Sequence, residues 1–88
     1  MRIDYTRMAA KFINSLDAVA KQRILAGIMG LTEIHPRGNI KLLQGNYAEK
    51  TFRLRIGKYR LIFRYRYDNS GNRFLVIEDI GFRGNFYN

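Results

Sequence analysis

The stretch TFRLRIGKYRLIFRYRY, residues 51–67, leaves the folding chain few choices. Apolar and cationic residues alternate on both sides of Gly57-Lys58, and a period of two marks a strand with one face in a core and one face out. A two-residue connection with glycine first suits a type II′ turn, so the stretch predicts a β-hairpin. Pairing across that turn sets Ile56 opposite Tyr59, Arg55 opposite Arg60, Leu54 opposite Leu61 and Phe52 opposite Phe63. One face then carries Phe52, Leu54, Ile56, Tyr59, Leu61, Phe63 and Tyr65. The other carries Arg53, Arg55, Arg60, Arg64 and Arg66, with Ile62 as its apolar member. A slip of one residue would mix the two sets, so side-chain chemistry specifies the register.

The charged face is costly for the chain on its own. Like charges directly opposite on a sheet destabilise it by roughly 0.2–1 kcal/mol per pair, and Arg55 opposite Arg60 is such a pair. A solvated face tolerates arginine, whose long stem also covers apolar surface. Five arginines with no lysine and no acid point instead to forked donation to phosphate or carboxylate. The whole chain agrees: sixteen Lys and Arg against seven Asp and Glu give a net charge of +9. That balance favours a polyanionic partner, whether nucleic acid, an anionic membrane or an acidic protein. A membrane fits least, because no apolar run approaches the roughly 18–20 residues of a spanning helix. The N-terminal MRIDYTRMAAKF lacks the apolar core of a secretory signal, so a cytoplasmic location is expected. With no cysteine and one histidine, His35, the chain is expected to hold no disulfide, metal or cofactor, and any catalysis is expected to be metal-free.

Eighty-eight residues form one domain, 1–88, with an ordinary apolar fraction of 47%. Arg2–Tyr5 reads as a short strand. Thr6 then caps a helix from Arg7 to about Leu16, with Met8, Phe12, Ile13 and Leu16 inward. Asp17 or Ser15 caps a second helix to about Thr32, striped by Ala20, Ile24, Ile28 and Leu31 and widened by Leu25. Gly27 and Gly30 let that helix sit close against a sheet. His35-Pro36-Arg37-Gly38-Asn39 reads as a loop, His35 included, with Ile40, Leu42 and Leu43 anchoring it on the core and a turn at Gly45-Asn46. Strands are predicted at about 50–56, 59–67 and 73–80, the last two joined by Asp68–Asn72 with Gly71 at positive φ. Glu78 is expected opposite Ile62, within reach of Arg60 or Arg64. The fold class is α+β: a short N-terminal strand and a two-helix antiparallel hairpin packed on a three- to four-stranded antiparallel sheet.

The motif Leu43-x-Gly45, followed by Phe52-Arg53-Leu54-Arg55-Ile56-Gly57-x-Tyr59-Arg60-Leu61-Ile62-Phe63 and closed by Gly81-x-Arg83-x-x-x-Tyr87, resembles the RelE/ParE toxins of type II toxin–antitoxin pairs. The resemblance covers nearly the whole chain. It implies a cytoplasmic toxin silenced by an acidic antitoxin, in a complex that binds its own operator DNA through the antitoxin. The RelE-like branch implies a ribosome-dependent endoribonuclease that enters the 30S A site and cleaves mRNA by attack of the ribose 2′-OH on the adjacent phosphorus. Carried over position by position, Arg53 and Arg55 match the basic residues of the first hairpin strand, and Arg60 the contact to the scissile phosphate. Arg83 matches the residue that stabilises charge or protonates the leaving oxygen, and Tyr87 one that stacks on a base and orients the 2′-OH. Lys50, Lys58, Arg64 and Arg66 supply general attraction to nucleic acid. Where that pattern has lysine on the first strand, this chain has arginine, a poor base and a good clamp. The proton acceptor is then Tyr87 or Glu49, or charge stabilisation dominates with the ribosome supplying geometry. Two alternatives stand beside this reading: a ParE-like DNA gyrase inhibitor without catalysis, and a non-catalytic basic nucleic-acid-binding module.

Overall fold

A computed structural model of the chain describes residues 1–84. The chain runs β1 (Ile3–Tyr5), α1 (Arg7–Asn14), α2 (Ala18–Gly30), β2 (Asn39–Leu42), β3 (Phe52–Ile56), β4 (Tyr59–Tyr67) and β5 (Arg73–Phe82). The five strands form a single sheet in the order β1-β5-β4-β3-β2. All neighbours are antiparallel except β1, which runs parallel to β5 with Ile3 beside Leu75 and Tyr5 beside Ile77. The sheet is thus mixed and one strand larger than expected. The addition is β2, where Ile40 and its neighbours pair with β3 rather than merely anchoring a loop.

Local chemistry sets the helix starts. The Thr6 hydroxyl accepts from the Ala9 N–H at 3.2 Å, and Asp17 Oδ1 accepts from the Ala20 N–H at 2.8 Å, each satisfying an orphan donor of the first turn. Between the two residues proposed for the second cap, Asp17 is the one that acts. Both helices stop two residues short of the expected ends, at Asn14 and Gly30. The buried stripe of α1 runs through Ala9 and Ile13, with Phe12 and Leu16 packed against the core as expected, but Met8 is 68% exposed and not inward. In α2, Ile24, Ile28 and Leu31 are buried as expected, with Leu25 at the margin. A Cβ added at Gly27 would come within 2.5 Å of Ile56 Cδ1, so this glycine does let α2 lie close on β3.

The core joins these helix residues to Leu54, Tyr59, Leu61 and Phe63 of the hairpin and to Leu75, Ile77 and Ile80 of β5. The hairpin register is as predicted at every pair, including Arg55 opposite Arg60. At its turn Gly57 has φ +55° and Lys58 does not have positive φ, which excludes type I′ and agrees with type II′. Gly71 also takes positive φ, and Asp68 Oδ1 accepts from the N–H groups of Ser70 and Asn72 to shape that loop.

One register expectation is corrected. A bulge between Ile62 and Phe63 sets Ile62 opposite Asp79 and leaves Glu78 as the extra residue of β5. The bulge lets Ile77 and Ile80, three residues apart, both enter the core. Glu78 then approaches Arg64 and Arg66, both at 3.9 Å.

Candidate functional site

The face of the sheet away from the helices carries the arginines, and it divides into two chemically different ends. At the β4–β5 loop end, Arg66 donates from Nε and Nη2 to the Glu49 carboxylate at 3.1 and 2.9 Å. Arg64 donates from Nε to the Thr51 hydroxyl at 3.1 Å and from Nη1 to Glu49 at 3.4 Å. These bonds hold the Glu49 carboxyl below the usual carboxylate range, the hydrogen bond from Arg66 being the largest cause. They also raise the Arg66 guanidinium above its ordinary value, chiefly through the same bond. Glu49 therefore lies among fixed cations rather than poised to accept a proton.

At the β3–β4 turn end, Arg55, Lys58, Arg60, Arg83 and Gly84 line a cleft of about 480 Å³, and no acidic side chain is among its described lining. Each cation reaches it from a different piece of backbone. Arg55 and Arg60 face each other across the hairpin, Lys58 sits in the turn, and Arg83 follows β5. Arg83 is fixed by two bonds to the turn: its N–H donates to Lys58 O at 2.8 Å, and its Nη1 donates to Gly57 O at 3.1 Å. Lys58 Nζ lies 5.6 and 5.8 Å from the ring centroids of Tyr59 and Phe82, close enough for cation–π attraction to hold it over the turn. Arg60 is only 2% exposed although it belongs to the face without helices. A solvated arginine face would leave it open, so burial is the main departure from the sequence-based picture. A guanidinium in such a setting stays charged and acts through less water, which strengthens its pull on an anion.

Arg53 is likewise buried, at 6% exposure, and its Nη1 donates to the Asn39 backbone oxygen at 2.8 Å and to Asn39 Oδ1 at 3.2 Å. It ties β3 to β2 and reaches a second cleft, of about 310 Å³, that Lys41, Leu43, Tyr47, Arg53 and Arg55 help to line. Arg55 borders both clefts. The structure thus brings Arg55, Arg60 and Arg83 together with Lys58, sets Arg53 one cleft away, and places Arg64 and Arg66 in the Glu49 cluster. Lys50 is exposed beside that cluster. Tyr87 lies outside the described residues. Lys41 and Tyr47 were not singled out by sequence reasoning, and recognising β2 would have found the first. In β2, Lys41 pairs with Arg53 and so extends the arginine face by one strand.

A helix pair on one face of a mixed five-stranded sheet, with a basic cleft built on its central hairpin, defines a RelE-like toxin fold. The solved structures similar to this chain include chains of three toxin–antitoxin complexes. An archaeal RelE–RelB complex from Pyrococcus horikoshii OT3 matches at a TM-score of 0.70 and 25% identity, covering 96% of each chain. The RelBE2 complex from Mycobacterium tuberculosis matches at 0.67 and 26% identity, covering 93% of this chain and 96% of that one. The RelB–RelE complex from Methanococcus jannaschii, at 0.67 and 16% identity, supports the fold alone. No protein-family model matches the chain, and no curated protein does so at a significant level. The resemblance carried by the hairpin motif is therefore borne out: the protein is a RelE-like toxin in its fold. Among the described residues no helix is long and apolar enough to cross a membrane.

Proposed function

We propose that this protein is the toxin of a toxin–antitoxin pair and cleaves mRNA in the ribosomal A site. The observation that carries the reading is the cleft at the hairpin turn whose described lining is cationic: Arg55, Lys58, Arg60 and Arg83, with Gly84. Cleavage by transesterification forms a bond from O2′ to phosphorus and breaks the bond from phosphorus to O5′. The products are a 2′,3′-cyclic phosphate and a 5′-hydroxyl. Between them stands a phosphorane with more negative charge than the starting diester, and preorganised cations that meet this added charge lower the barrier. Arg60, buried beside the hairpin turn, is suited to hold the non-bridging oxygens. Arg83, pinned to the turn through Gly57, is suited to face the departing O5′.

Removal of the 2′ proton needs a different group, because arginine stays protonated. Glu49 does not line the cleft and is engaged by Arg64 and Arg66, which argues against it among the two candidates raised by the sequence. The acceptor is then Tyr87 or a group supplied by the ribosome, with charge stabilisation as this chain's main contribution. The same cleft suits an acidic antitoxin segment, consistent with the RelE–RelB complexes that share the fold. Primer extension on translated and untranslated transcripts, run beside a gyrase supercoiling assay, tests the reading. Codon-positioned breaks that require translation, with supercoiling unaffected, are expected. Inhibited supercoiling without breaks would establish the gyrase-directed alternative instead.

A further inference from the structure

We propose that the second cleft is a nucleobase subsite, in which Tyr47 stacks on the base of a nucleotide flanking the scissile phosphate. This rests on the reading of the first cleft as an RNA site. Two observations support a strand running from one cleft into the other. Arg55 lines both, so a guanidinium stands where the backbone of a single strand would pass between them. The two clefts also differ in kind. Arginine and lysine fill the first, whereas the second adds an aromatic ring, the amide of Gln44 and the apolar Leu43 to the cations Lys41 and Arg53. Cations alone suit a phosphate. A ring, an amide and an apolar wall beside cations suit a splayed-out base, which needs a π surface and an edge partner.

The loop that carries Tyr47 is held rather than loose. Leu43 N–H donates to Thr51 O at 2.8 Å and closes the loop at its base. The Thr51 hydroxyl donates to Glu49 O at 3.0 Å, and the Glu49 side chain is fastened to β4 by Arg64 and Arg66. Gly45 takes φ +126°, and the Tyr47 ring lies 3.6 Å from where a Cβ at Gly45 would sit, so the ring rests over the glycine. Tyr47 nevertheless stays 44% exposed, a large aromatic surface turned outward by a fastened loop. Holding a ring in place before binding removes the ordering cost that would otherwise offset its stacking. The Glu49 cluster thereby gains a role: its arginines hold the platform while Arg53 and Arg55 meet the strand.

The test is equilibrium binding of the full chain to an end-labelled single-stranded hexanucleotide whose 2′-O-methyl riboses block cleavage. It is compared with hexanucleotides carrying one abasic residue at each position in turn. Wild type is expected to lose about tenfold in affinity at one position. At that position Tyr47→Ala is expected to bind the intact and abasic strands alike, and Tyr47→Phe to behave as wild type. Because Tyr47 is half exposed, the alanine variant should fold, and its melting curve checks this. Undiminished abasic sensitivity in Tyr47→Ala, or none in wild type, overturns the subsite. Sensitivity that depends on Tyr47 in a protein that cuts no mRNA would keep the subsite and remove the nuclease reading. Cleavage without that sensitivity would do the reverse.

Discussion

The two ends of the arginine face use the same side chain for opposite purposes. Near the β4–β5 loop, Arg64 and Arg66 meet Glu49, Glu78 and the Thr51 hydroxyl, so their donors are spent on the protein itself. Near the β3–β4 turn, Arg55, Lys58, Arg60 and Arg83 converge on a cleft with no acid among its described lining. In sequence the two groups look alike, because both are arginines at alternate positions of one hairpin. What separates them is long-range: Glu49 arrives from the loop before β3, and Glu78 from the bulge in β5. A run of cations therefore becomes a site where the described lining is cationic, and a brace where Glu49 and Glu78 join it.

The largest expected effect comes from the turn end. Arg60→Ala should lower ribosome-dependent cleavage by about a hundredfold or more, the scale seen when one preorganised donor to a developing oxyanion is removed. Since Arg60 is buried, Arg60→Lys serves as the second variant, keeping the charge while losing the fork. Melting curves for both separate lost chemistry from lost fold. Arg66→Ala should leave the cleavage step close to wild type, and an equal loss in both variants would erase the distinction between the ends.

A smaller effect is expected in salt dependence. Each cation that meets a phosphate of a single strand adds roughly 0.7 to the slope of log affinity against log salt. Arg55→Ala should reduce the slope for a short RNA by about that amount, whereas Arg64→Ala should leave it unchanged. Titration of binding between low and physiological salt reads both, and equal slopes would show that the braced arginines also touch RNA.

The smallest effect concerns pH. The Glu49 carboxyl is held below its ordinary range in the folded protein, first by its hydrogen bond from Arg66. Its brace is therefore at full strength above the unfolded glutamate value of about 4.3, and is lost as pH falls through the lower folded value. Amide resonances of the 44–50 loop should shift over that acidic interval in wild type and not in Glu49→Gln. A midpoint at or above the unfolded value would show that the brace does not form.

The hairpin was legible in the sequence because its two faces differ so sharply that only one register keeps them apart. A two-residue turn starting with glycine fixed the pairing as well. The helix caps were legible because Thr6 and Asp17 act on N–H groups three residues away. The remaining features depend on distant partners. Residues Asn39–Leu42 are mostly exposed, with Ile40 their one inward residue, so no alternation marked them as a strand. Nothing in IDY tells a strand that it will lie parallel to one about seventy residues away. The bulge at Glu78 breaks the period of two at one point, and extrapolation from the loop carried the register straight past it. The arginines were visible as a set, but the burial of Arg53 and Arg60 follows from neighbours that the local pattern does not contain.

The parallel pairing of β1 with β5 bears on the order in which this domain is completed. β1 waits for a strand made about seventy residues later, where Leu75 N–H donates to Arg2 O and Thr6 N–H to Ile77 O. Contacts this far apart in sequence form late, because the intervening chain must be made and ordered first. Arg83, which completes the basic cleft, follows β5 still later. A nascent chain stopped before β5 has a basic hairpin without its finished cleft, so the cleft is among the last parts of this domain to take shape.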